Sequence, residues 1–524
     1  MAKLEQKVDK ESRPPVVAIL GHIDHGKSTL VDYIRKTNIT GLEAGGITQH
    51  VGAYEILHTL KDGKKKSITI LDTPGHEAFS GIRTRSTNIA DIAVLVVSAE
   101  DGVKPQTVEV IKYVKESSMP YLVAITKIDK PSADVMRTKQ NLAENEIYVE
   151  GYGGDTPVVE VSAKTGQGVD DLLDMIGLIS ELENKTSTRD ALGSGVIIET
   201  RRDAKRGITA VGIIKDGTVR QGLFAASRSA IAPIRFLLDS DENMVDELSF
   251  SSPVQITGWD KMPEIGEEFK TFLKKEEAVS FAEVGSEKNV NRAENKIGEG
   301  VHLLSLIIKA DTAGSLEAIT SELSKLGRER IIPKIVLSSI GSINENDIKS
   351  ALTVPGTFVI GFNTKADPKA GALAERSGVT ILTFSIIYEF IDKVKELLAE
   401  KEPKIEVEDV VGTCKVLKLF DTTRGKQVLG GRVLSGQIKR GANIKIMRRD
   451  AEIGHGKIKE LQQSKIAADS VSEGTEFGAM IESKMEIAPG DVLNAISVVT
   501  NHHESRAICY WKRIENIFHY PTRV

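Results

Sequence analysis

The chain has 524 residues, too many for a single hydrophobic core, so we expect roughly three or four domains of about 150 residues each. A formal net charge of −5 excludes a global positive field that would attract nucleic acid, so any RNA contact must come from a local basic patch. The sequence is 40% apolar but holds no apolar run near the ~20 residues of a membrane span, and its polar N-terminus lacks the apolar core of a signal peptide. With only two cysteines, these features predict a cytoplasmic protein that binds no membrane.

The first third of the chain, residues 14–184, alternates short apolar runs with amphipathic helical stretches. The apolar runs cover residues 16–20, 67–71, 92–97, 121–126 and 157–161. Continuously apolar strands separated by helices predict a parallel-rich sheet that is covered on both faces. Ligands of such sheets bind at the carboxyl ends of the strands. The polar residues 1–13 before this region are predicted to be a disordered tail.

Two later regions are rich in short β-runs and share one pattern. "GIIKDGTVRQG" at 212–222 and "GRVLSGQIKRG" at 431–441 each give a strand, a two-residue turn ending in glycine, and a second strand. This repeat predicts two β-barrels of one kind, at 190–283 and 408–500. The alternative is that Asp-Gly and Ser-Gly hairpins recur by chance in β proteins.

Between the two barrels the sequence returns to an α/β pattern. Residues 284–300 are polar and predict a linker, 301–386 predict an α/β/α domain, and 386–407 predict a helix that connects it to the second barrel. Asp311 and Ser315 are expected to cap a helix rather than to form a second phosphate site, because no Gly-Lys-Ser string accompanies them. The C-terminal tail, 501–524, is rich in histidine and aromatic residues, and this composition predicts no particular fold.

A phosphate-binding loop follows the first apolar strand. "GHIDHGKS" at 21–28 matches the pattern of Gly, four residues, Gly-Lys and Ser or Thr, whose backbone N–H groups face phosphate oxygens. Lys27 is expected to bridge the β- and γ-phosphates, and the Ser28 hydroxyl to bind Mg²⁺. A metal site at His22 and His25 is disfavoured, since the loop offers no third or fourth ligand. The residues predicted to contact nucleotide here are Gly21, His22, Ile23, Asp24, His25, Gly26, Lys27, Ser28 and Thr29.

Three further segments follow later strands in the order that a bound guanine nucleotide requires. Asp72 is expected to hold a Mg²⁺-bound water, and Gly75 to donate its N–H to the γ-phosphate. Asp129 can accept two hydrogen bonds from guanine that adenine cannot donate, which is a penalty of about 1–3 kcal/mol for the wrong base. Acids often cap turns after strands, but that explains each residue alone and not the ordered set. The predicted contacts are Asp72, Thr73, Pro74, Gly75, His76, Thr126, Lys127, Ile128, Asp129, Ser162, Ala163 and Lys164.

Together these segments resemble the translational GTPases and, in detail, the bacterial translation initiation factor 2 family. The similarity includes "AGGITQHVGAY" at 44–54, "LDTPGHEAF" at 71–79 and "DTAGSLEAI" at 311–319, and it extends over roughly residues 14–500. It implies a multidomain α/β and β fold: a P-loop GTPase domain with a parallel-rich sheet, two elongation factor Tu-like β-barrels, and one α/β/α domain between them. It also implies GTP as substrate, with Mg²⁺ as cofactor held by Ser28 and Thr48, and by Asp72 through water.

The resemblance assigns His76 as the catalytic residue that orients the attacking water when the ribosome pushes its loop into place, with Ile23 and Ile47 flanking that water. His76 is therefore expected to be exposed and mobile; the alternative is that it caps the following helix or packs against a partner. Thr126 stands where the family usually has Asn, and its hydroxyl is expected to tie the segment to the phosphate loop.

The function implied is that of a monomeric, ribosome-activated GTPase. It would promote binding of initiator formyl-methionyl-tRNA to the small ribosomal subunit and joining of the large one. The C-terminal barrel departs from the family's initiator-binding face, so no residue is assigned to that contact, and the family's long N-terminal extension is expected to be absent. A GTP-switched ribosome assembly or stress factor, or an elongation-type carrier of tRNA, are the alternatives.

Overall fold

The computed structural model describes residues 10–37, 47–61, 63–203, 205–286, 302–327, 331–402, 406–423, 425–449, 451–464 and 466–500. Residues 1–9 and 501–524 of the predicted tails lie outside the described residues, and so do residues 287–300 of the predicted linker. The chain divides into two compact units, residues 1–401 and 402–524. None of the helices described is both long and apolar enough to cross a membrane.

The N-terminal part of the first unit is built on a six-stranded sheet in the order β3-β4-β2-β5-β6-β7. Only β3 runs antiparallel to its neighbour, which confirms the predicted parallel-rich sheet. The elements are β1 Glu11–Ser12, β2 Val16–Gly21, α1 Lys27–Arg35, β3 Gly52–Thr59, β4 Lys65–Asp72, a 3-10 turn Glu77–Phe79, α2 Ser80–Ile89, β5 Ile92–Ser98, α3 Pro105–Ser117, β6 Tyr121–Thr126, α4 Val135–Glu144, β7 Val158–Glu160, α5 Val169–Glu183 and β8 Thr186–Ser187.

The central strands are apolar throughout because both faces of this sheet are covered. Leu30 of α1 and Leu172 of α5 pack on one face, and Val110 of α3 and Leu142 of α4 lie with the core of the other face. Each buried aliphatic side chain contributes roughly 1.5–3 kcal/mol. This double layer fixes the positions of the strand ends, from which the polar loops emerge.

The prediction of a disordered tail is wrong for its last residues. β1 pairs with β8, and the buried guanidinium of Arg13 forms an ion pair with the buried carboxylate of Asp91. Asp91 also accepts a hydrogen bond from the backbone N–H of Val16, 2.9 Å away. Loss of either partner would leave a buried charge unpaired, which is strongly destabilising, so this ion pair holds the chain in place before the first core strand.

The next part of this unit is a seven-stranded antiparallel sheet in the order β13-β12-β17-β9-β10-β16-β14, with β11 and β15 paired separately. Its strands are β9 Ser194–Asp203, β10 Gly207–Asp216, β11 Thr218–Arg220, β12 Phe224–Ala226, β13 Ile231–Pro233, β14 Leu237–Leu238, β15 Glu247–Ser249, β16 Pro253–Thr257 and β17 Glu268–Phe272.

The α/β/α region has a parallel sheet in the order β19-β18-β20-β21. Its elements are β18 His302–Ala310, α7 Ala313–Lys325, β19 Ile331–Ile340, α8 Glu345–Thr353, β20 Phe358–Phe362, α9 Pro368–Ser377, β21 Ile381–Phe384 and α10 Ile387–Lys401, preceded by α6 Lys275–Ser286. Residues 284–286 thus end a helix rather than begin the predicted linker. The cap of α7 is Thr312, whose side chain accepts the N–H of Ser315, so the predicted cap at Asp311 is wrong.

Helix α10 lies where the connecting helix was expected, over residues 387–401 of the predicted 386–407. It is not a bare connector, because Phe390, Val394 and Leu398 are buried in the core under the parallel sheet. This packing fixes the first turn of α10 against the rest of the first unit.

The second unit is a closed antiparallel barrel. Its strands pair in the order β22-β29-β24-β25-β28-β23, and β23 pairs in turn with β22, which closes the sheet on itself. Its strands are β22 Glu406–Thr423, β23 Lys426–Lys439, β24 Asn443–Arg448, β25 Ala451–Gln463, β26 Ile466–Ala467, β27 Ser470–Ser472, β28 Glu476–Ser483 and β29 Val492–Thr500.

The glycine repeat marks a bend rather than a hairpin. Gly217 and Gly436 both have positive φ, 73° and 68°, a backbone conformation that glycine adopts without steric cost. At Gly217 the chain leaves its pairing with β9 and begins to pair with β15. At Gly436, inside the continuous strand β23, pairing passes from β22 to β27. The predicted two-strand hairpins are therefore wrong, although the two copies do share one geometric role.

Candidate nucleotide-binding site

The phosphate loop joins β2 to α1 in a conformation set by left-handed residues. Asp24 and Gly26 have φ of 60° and 86°, and a Cβ at Gly21 would overlap the carbonyl oxygen of Val96. The N–H of Leu30 donates to the carbonyl of Gly26 at 2.9 Å, which starts α1 directly after the loop. The positive end of the helix dipole therefore points at the space that the loop encloses.

Lys27 lies at the centre of this loop and is buried, with 6% of its surface exposed. Its ammonium donates to the carbonyl of His22 at 2.7 Å, and a Cβ at Gly75 would overlap the Lys27 Nζ atom. Burial lowers the pKa of Lys27 to about 8, so the side chain remains largely cationic at neutral pH. The phosphate loop and the segment after β4 thus meet at one ammonium group.

Three side chains predicted to supply oxygen ligands to Mg²⁺ lie close to the Lys27 ammonium. The hydroxyls of Ser28 and Thr48 are hydrogen-bonded to each other. Asp72, at the end of β4, is 5% exposed, and its Oδ1 atom has no hydrogen-bond partner among the described residues. Burial raises the pKa of this carboxyl to about 6. Hydroxyl and carboxylate oxygens suit Mg²⁺, which takes few protein ligands and several waters, so these residues fit the ion.

The two histidines of the loop, His22 and His25, pack against each other. Their ring centroids are 5.0 Å apart in an edge-on arrangement. His25 is fully buried and its Nδ1 lies 3.4 Å from the carbonyl of Val96. Burial lowers the pKa of His25 to about 4. In the described part of the chain, no group of three or more His, Cys, Asp and Glu is arranged to hold a metal ion.

His76 is buried, with 5% exposure, so the prediction of an exposed imidazole is wrong. Its Nδ1 accepts the backbone N–H of Ala78 at 2.9 Å and thereby caps the 3-10 turn. Its ring lies against Tyr388 of α10, with centroids 4.2 Å apart. Burial lowers the pKa of His76, and a neutral ring whose Nδ1 accepts a hydrogen bond carries its proton on Nε2. This arrangement is the alternative considered from sequence, a cap that packs against a neighbour.

Arg83 of α2 holds the backbone of the same segment. It is 1% exposed, and its guanidinium donates to the carbonyls of His76 and Pro74, the latter at 3.3 Å. The other end of the guanidinium forms an ion pair with Glu109 of α3 at 3.1 Å. Nothing in the local sequence pattern identified Arg83, because its partners come from a loop and from a different helix.

A cavity of about 290 Å³ brings these segments together. Its lining residues are Ile23, Asp24, Gly26, Lys27, Ser28, Thr29, Ile47, Thr48, Gly75, His76 and Lys127. Three of the four predicted segments therefore share one cavity, together with Ile47 and Thr48 from the segment before β3. Gln106 of α3, which sequence reasoning missed, also reaches this loop and accepts the N–H of Ile23 at 3.3 Å.

The predicted base pocket lies at the ends of β6 and β7. The exposed carboxylate of Asp129 accepts a hydrogen bond from Ser162 Oγ at 2.7 Å, which lowers the pKa of Asp129. Thr126 Oγ1 donates to the carbonyl of His25 at 2.5 Å. Thr126 thus makes the tie to the phosphate loop that was expected of it, and the four segments form one continuous edge of the sheet.

Comparison with known proteins gives matches over most of the chain. Family models named "Elongation factor Tu GTP binding domain", "Elongation factor G domain 2" and "Translation-initiation factor 2" match residues 12–181, 193–272 and 281–395. Translation initiation factor IF-2 of Aquifex aeolicus is 39% identical over 499 residues, covering 93% of this chain and 61% of the relative. The factor of the same name from Phenylobacterium zucineum is 40% identical over 505 residues, covering 93% of this chain and 50% of the relative.

The chain thus spans about half to three fifths of the length of these curated relatives. Among solved structures, GDP-bound aIF5B from Aeropyrum pernix is 27% identical, covers 96% of this chain and 95% of its own, and has a TM-score of 0.43. With matches to three translation-factor families in this order and similarity along 93% of its length, the chain belongs to the translation initiation factor 2 family.

Proposed function

We propose that this protein is a ribosome-activated GTPase that acts in translation initiation, hydrolysing GTP to GDP and phosphate. The observation that carries the proposal is the cavity at the strand ends, which is lined by a buried ammonium and two hydroxyls. The buried carboxylate of Asp72 interacts with two of these lining residues, Lys27 and Ser28. The exposed carboxylate of Asp129 follows β6 at the same edge of the sheet, which supports the proposal that it contacts guanine. Phosphate, metal and base contacts are thus available to one nucleotide.

In this proposal the phosphate loop binds the β- and γ-phosphates through its backbone N–H groups and the Lys27 ammonium. The hydroxyls of Ser28 and Thr48 would hold Mg²⁺ directly, and Asp72 would hold it through a water molecule. When bound, Mg²⁺ neutralises negative charge on the phosphates. Gly75 supplies a backbone N–H to the γ-phosphate, and Ile23 and Ile47 shield the attacking water from bulk solvent.

His76 has the role of orienting that water. Phosphoryl transfer depends on positioning and charge stabilisation more than on a strong base, so a neutral imidazole close to the terminal phosphate is sufficient. The burial of His76 and its bond to Ala78 mean that the ring must leave its present contacts to act. Slow hydrolysis in the absence of the ribosome follows from this requirement.

We further propose the ribosome and initiator tRNA as partners, the cytoplasm as location and a monomer as the working state. The "Translation-initiation factor 2" match over residues 281–395 supports initiation over an elongation-type carrier. The matched segment holds the α/β/α domain, which lies in sequence between the seven-stranded sheet and the C-terminal barrel. The closed C-terminal barrel has a cavity of about 710 Å³ that is partly lined by Phe420, Phe477 and Met480. This cavity is a candidate site for the acylated end of the tRNA.

The test is GTP turnover by the full chain with and without intact ribosomes, compared between wild type and His76→Ala. We expect slow turnover alone, strong stimulation by ribosomes, and loss of that stimulation in His76→Ala with unchanged GTP binding. Gln140→Ala is a suitable control, since Gln140 is exposed on α4 and lines no part of the cavity. Full stimulation of the His76→Ala protein would remove His76 from the mechanism, and no stimulation of the wild type would refute the proposed function.

A further inference from the structure

One turn of the α/β/α domain contacts two segments that line the nucleotide cavity. Residues 385–388 lie at the start of α10. Gln49 contacts this turn at Ser385, and His76 contacts it at Tyr388. Gln49 is adjacent to Thr48, one of the proposed Mg²⁺ ligands. The turn therefore touches two parts of the proposed catalytic machinery, although it is more than 300 residues away in sequence.

The first contact is a side-chain cap on helix α10. Gln49 is 4% exposed; its Nε2 donates to the carbonyl of Ser385 at 2.7 Å, and its Oε1 accepts the N–H of Ile387 at 3.3 Å. The N–H groups of a first helical turn have no partner within the helix, so an amide that satisfies one of them stabilises the helix end. Movement of the segment that carries Thr48 would break both bonds.

The second contact restrains the imidazole of His76. The ring of Tyr388 lies at 4.2 Å on one side and that of Phe79 at 6.2 Å on another, while Ala78 donates to Nδ1. Rotation of the His76 side chain would give up the tilted ring contact with Tyr388 and the hydrogen bond together. Tyr388 is 43% exposed, so it covers the imidazole from the solvent side without being part of the core itself.

The polar groups that line the nucleotide cavity bond to partners within the protein in this structure. The hydroxyls of Ser28 and Thr48 bond to each other, and Lys27 Nζ bonds to the carbonyl of His22. The contact of His76 with Tyr388 belongs to the same set of mutually satisfied groups. We call this the resting arrangement. In it, the turn at 385–388 holds His76 and the Thr48 segment in place.

We propose that Tyr388 is a positioning residue for GTP hydrolysis: it holds His76 in the resting rotamer, and its release lets the imidazole act. The turn at 385–388 thereby couples the docking of the α/β/α domain to the reaction. The inference rests on the proposed GTPase function. The contact of two aromatic rings corresponds to roughly a two- to tenfold change in the ratio of two conformers. Loss of the Tyr388 ring should therefore raise the population of the released imidazole by about that factor.

The experiment measures single-turnover GTP hydrolysis by the full chain without ribosomes, together with GTP affinity. Tyr388→Ala is expected to raise the rate about two- to tenfold with unchanged affinity, whereas Tyr388→Phe, which keeps the ring, stays at the wild-type rate. Tyr148→Ala is the matched control, because Tyr148 is similarly exposed, at 51%, and lines no part of the cavity. A wild-type or reduced rate in Tyr388→Ala would overturn the proposal.

A second set of variants separates this mechanism from a general loosening of the fold. In a His76→Ala background, Tyr388→Ala should have no effect, because the two residues act through one contact. An equal rise in that background would show that Tyr388 does not act through His76 and would overturn the proposal. Gln49→Ala, which removes only the cap, should also raise the basal rate, and an unchanged rate in both Gln49→Ala and Tyr388→Ala would refute the coupling.

The two proposals fail in different ways. If ribosomes stimulate wild-type turnover and His76→Ala abolishes the stimulation, but Tyr388→Ala matches wild type, then the GTPase function stands and the positioning role is refuted. If ribosomes do not stimulate the wild type, the function itself is refuted, whatever the Tyr388 variants do.

Discussion

Replacement of Arg83 by methionine tests whether the backbone of the His76 segment must be held in place for hydrolysis. Arg83 is 1% exposed and is the donor to two carbonyls, those of Pro74 and His76. Methionine keeps much of the volume and the helix propensity of arginine but donates no hydrogen bond. The change therefore removes the donor while disturbing the packing of α2 as little as possible.

The size of the expected effect follows from the hydrogen bonds that are lost in Arg83→Met. A buried carbonyl that loses its donor costs roughly 1–3 kcal/mol. The His76 carbonyl keeps the N–H of Phe79 at 3.0 Å, so only the Pro74 carbonyl is left without a donor and the segment is destabilised by roughly 1–3 kcal/mol in its present conformation. The ion pair with Glu109 adds about 1 kcal/mol or less, because the Glu109 side chain is 30% exposed. A strain of this size is enough to move the segment, and a shift of about 1 Å at a catalytic group lowers a rate by about a hundredfold.

We expect Arg83→Met to lower ribosome-stimulated kcat by roughly ten- to a hundredfold, while GTP affinity changes less than about threefold because the base pocket is not involved. Amide exchange over residues 73–79 should accelerate in parallel. Glu109→Gln is the control, since it keeps both carbonyl bonds and removes only the charge pair; its kcat should stay close to that of wild type. An Arg83→Met protein with wild-type kcat and wild-type exchange would refute this reasoning.

Two further predictions concern the base and the metal. Asp129→Asn should shift the preference from guanine to xanthine nucleotides, measured by competition for a fluorescent nucleotide; a variant that still prefers GTP would refute the base pocket. The pKa of Asp72 is raised to about 6 by burial, so below that pH the carboxyl is protonated and can no longer hold a Mg²⁺-bound water. The Mg²⁺ dependence of GTP affinity should therefore weaken as pH falls below about 6. Asp72→Asn keeps the shape but not the charge, so its Mg²⁺ dependence should be weaker than that of wild type, with Ser28 and Thr48 still present, and should not change with pH in this range.

The phosphate loop could be predicted from sequence because its geometry is local. Two glycines at fixed spacing, a lysine and a helix start within eight residues determine where the N–H groups point, whatever surrounds them. The meeting of the Asp72 and Asp129 segments with that loop was also predictable, because parallel strands end at one edge of a sheet. The contact of the Thr126 hydroxyl with the loop was predicted from the family resemblance, because the family usually has Asn at this position.

The environment of His76 could not be predicted in this way. Its burial depends on Tyr388, and the capping of α10 depends on Gln49, and both contacts join segments that are more than 300 residues apart. A glycine after a strand indicates a turn but does not say what will pack on it. The glycine repeat has the same limitation, because Gly217 and Gly436 mark where a strand changes its partner, and pairing partners are set by the whole sheet.

The mutual nature of these contacts has a thermodynamic consequence for the proposed coupling. If nucleotide binding moves the Thr48 segment or His76, it gives up the bonds to the turn at 385–388, and the α/β/α domain loses the same free energy of docking. Conversely, a partner that binds α10 and displaces it shifts the Thr48 and His76 segments towards the released state without contacting the nucleotide. A ribosome that engages the α/β/α domain could therefore raise the rate from a distance. The amount by which it does so is bounded by the difference in free energy between the docked and released states of the two segments.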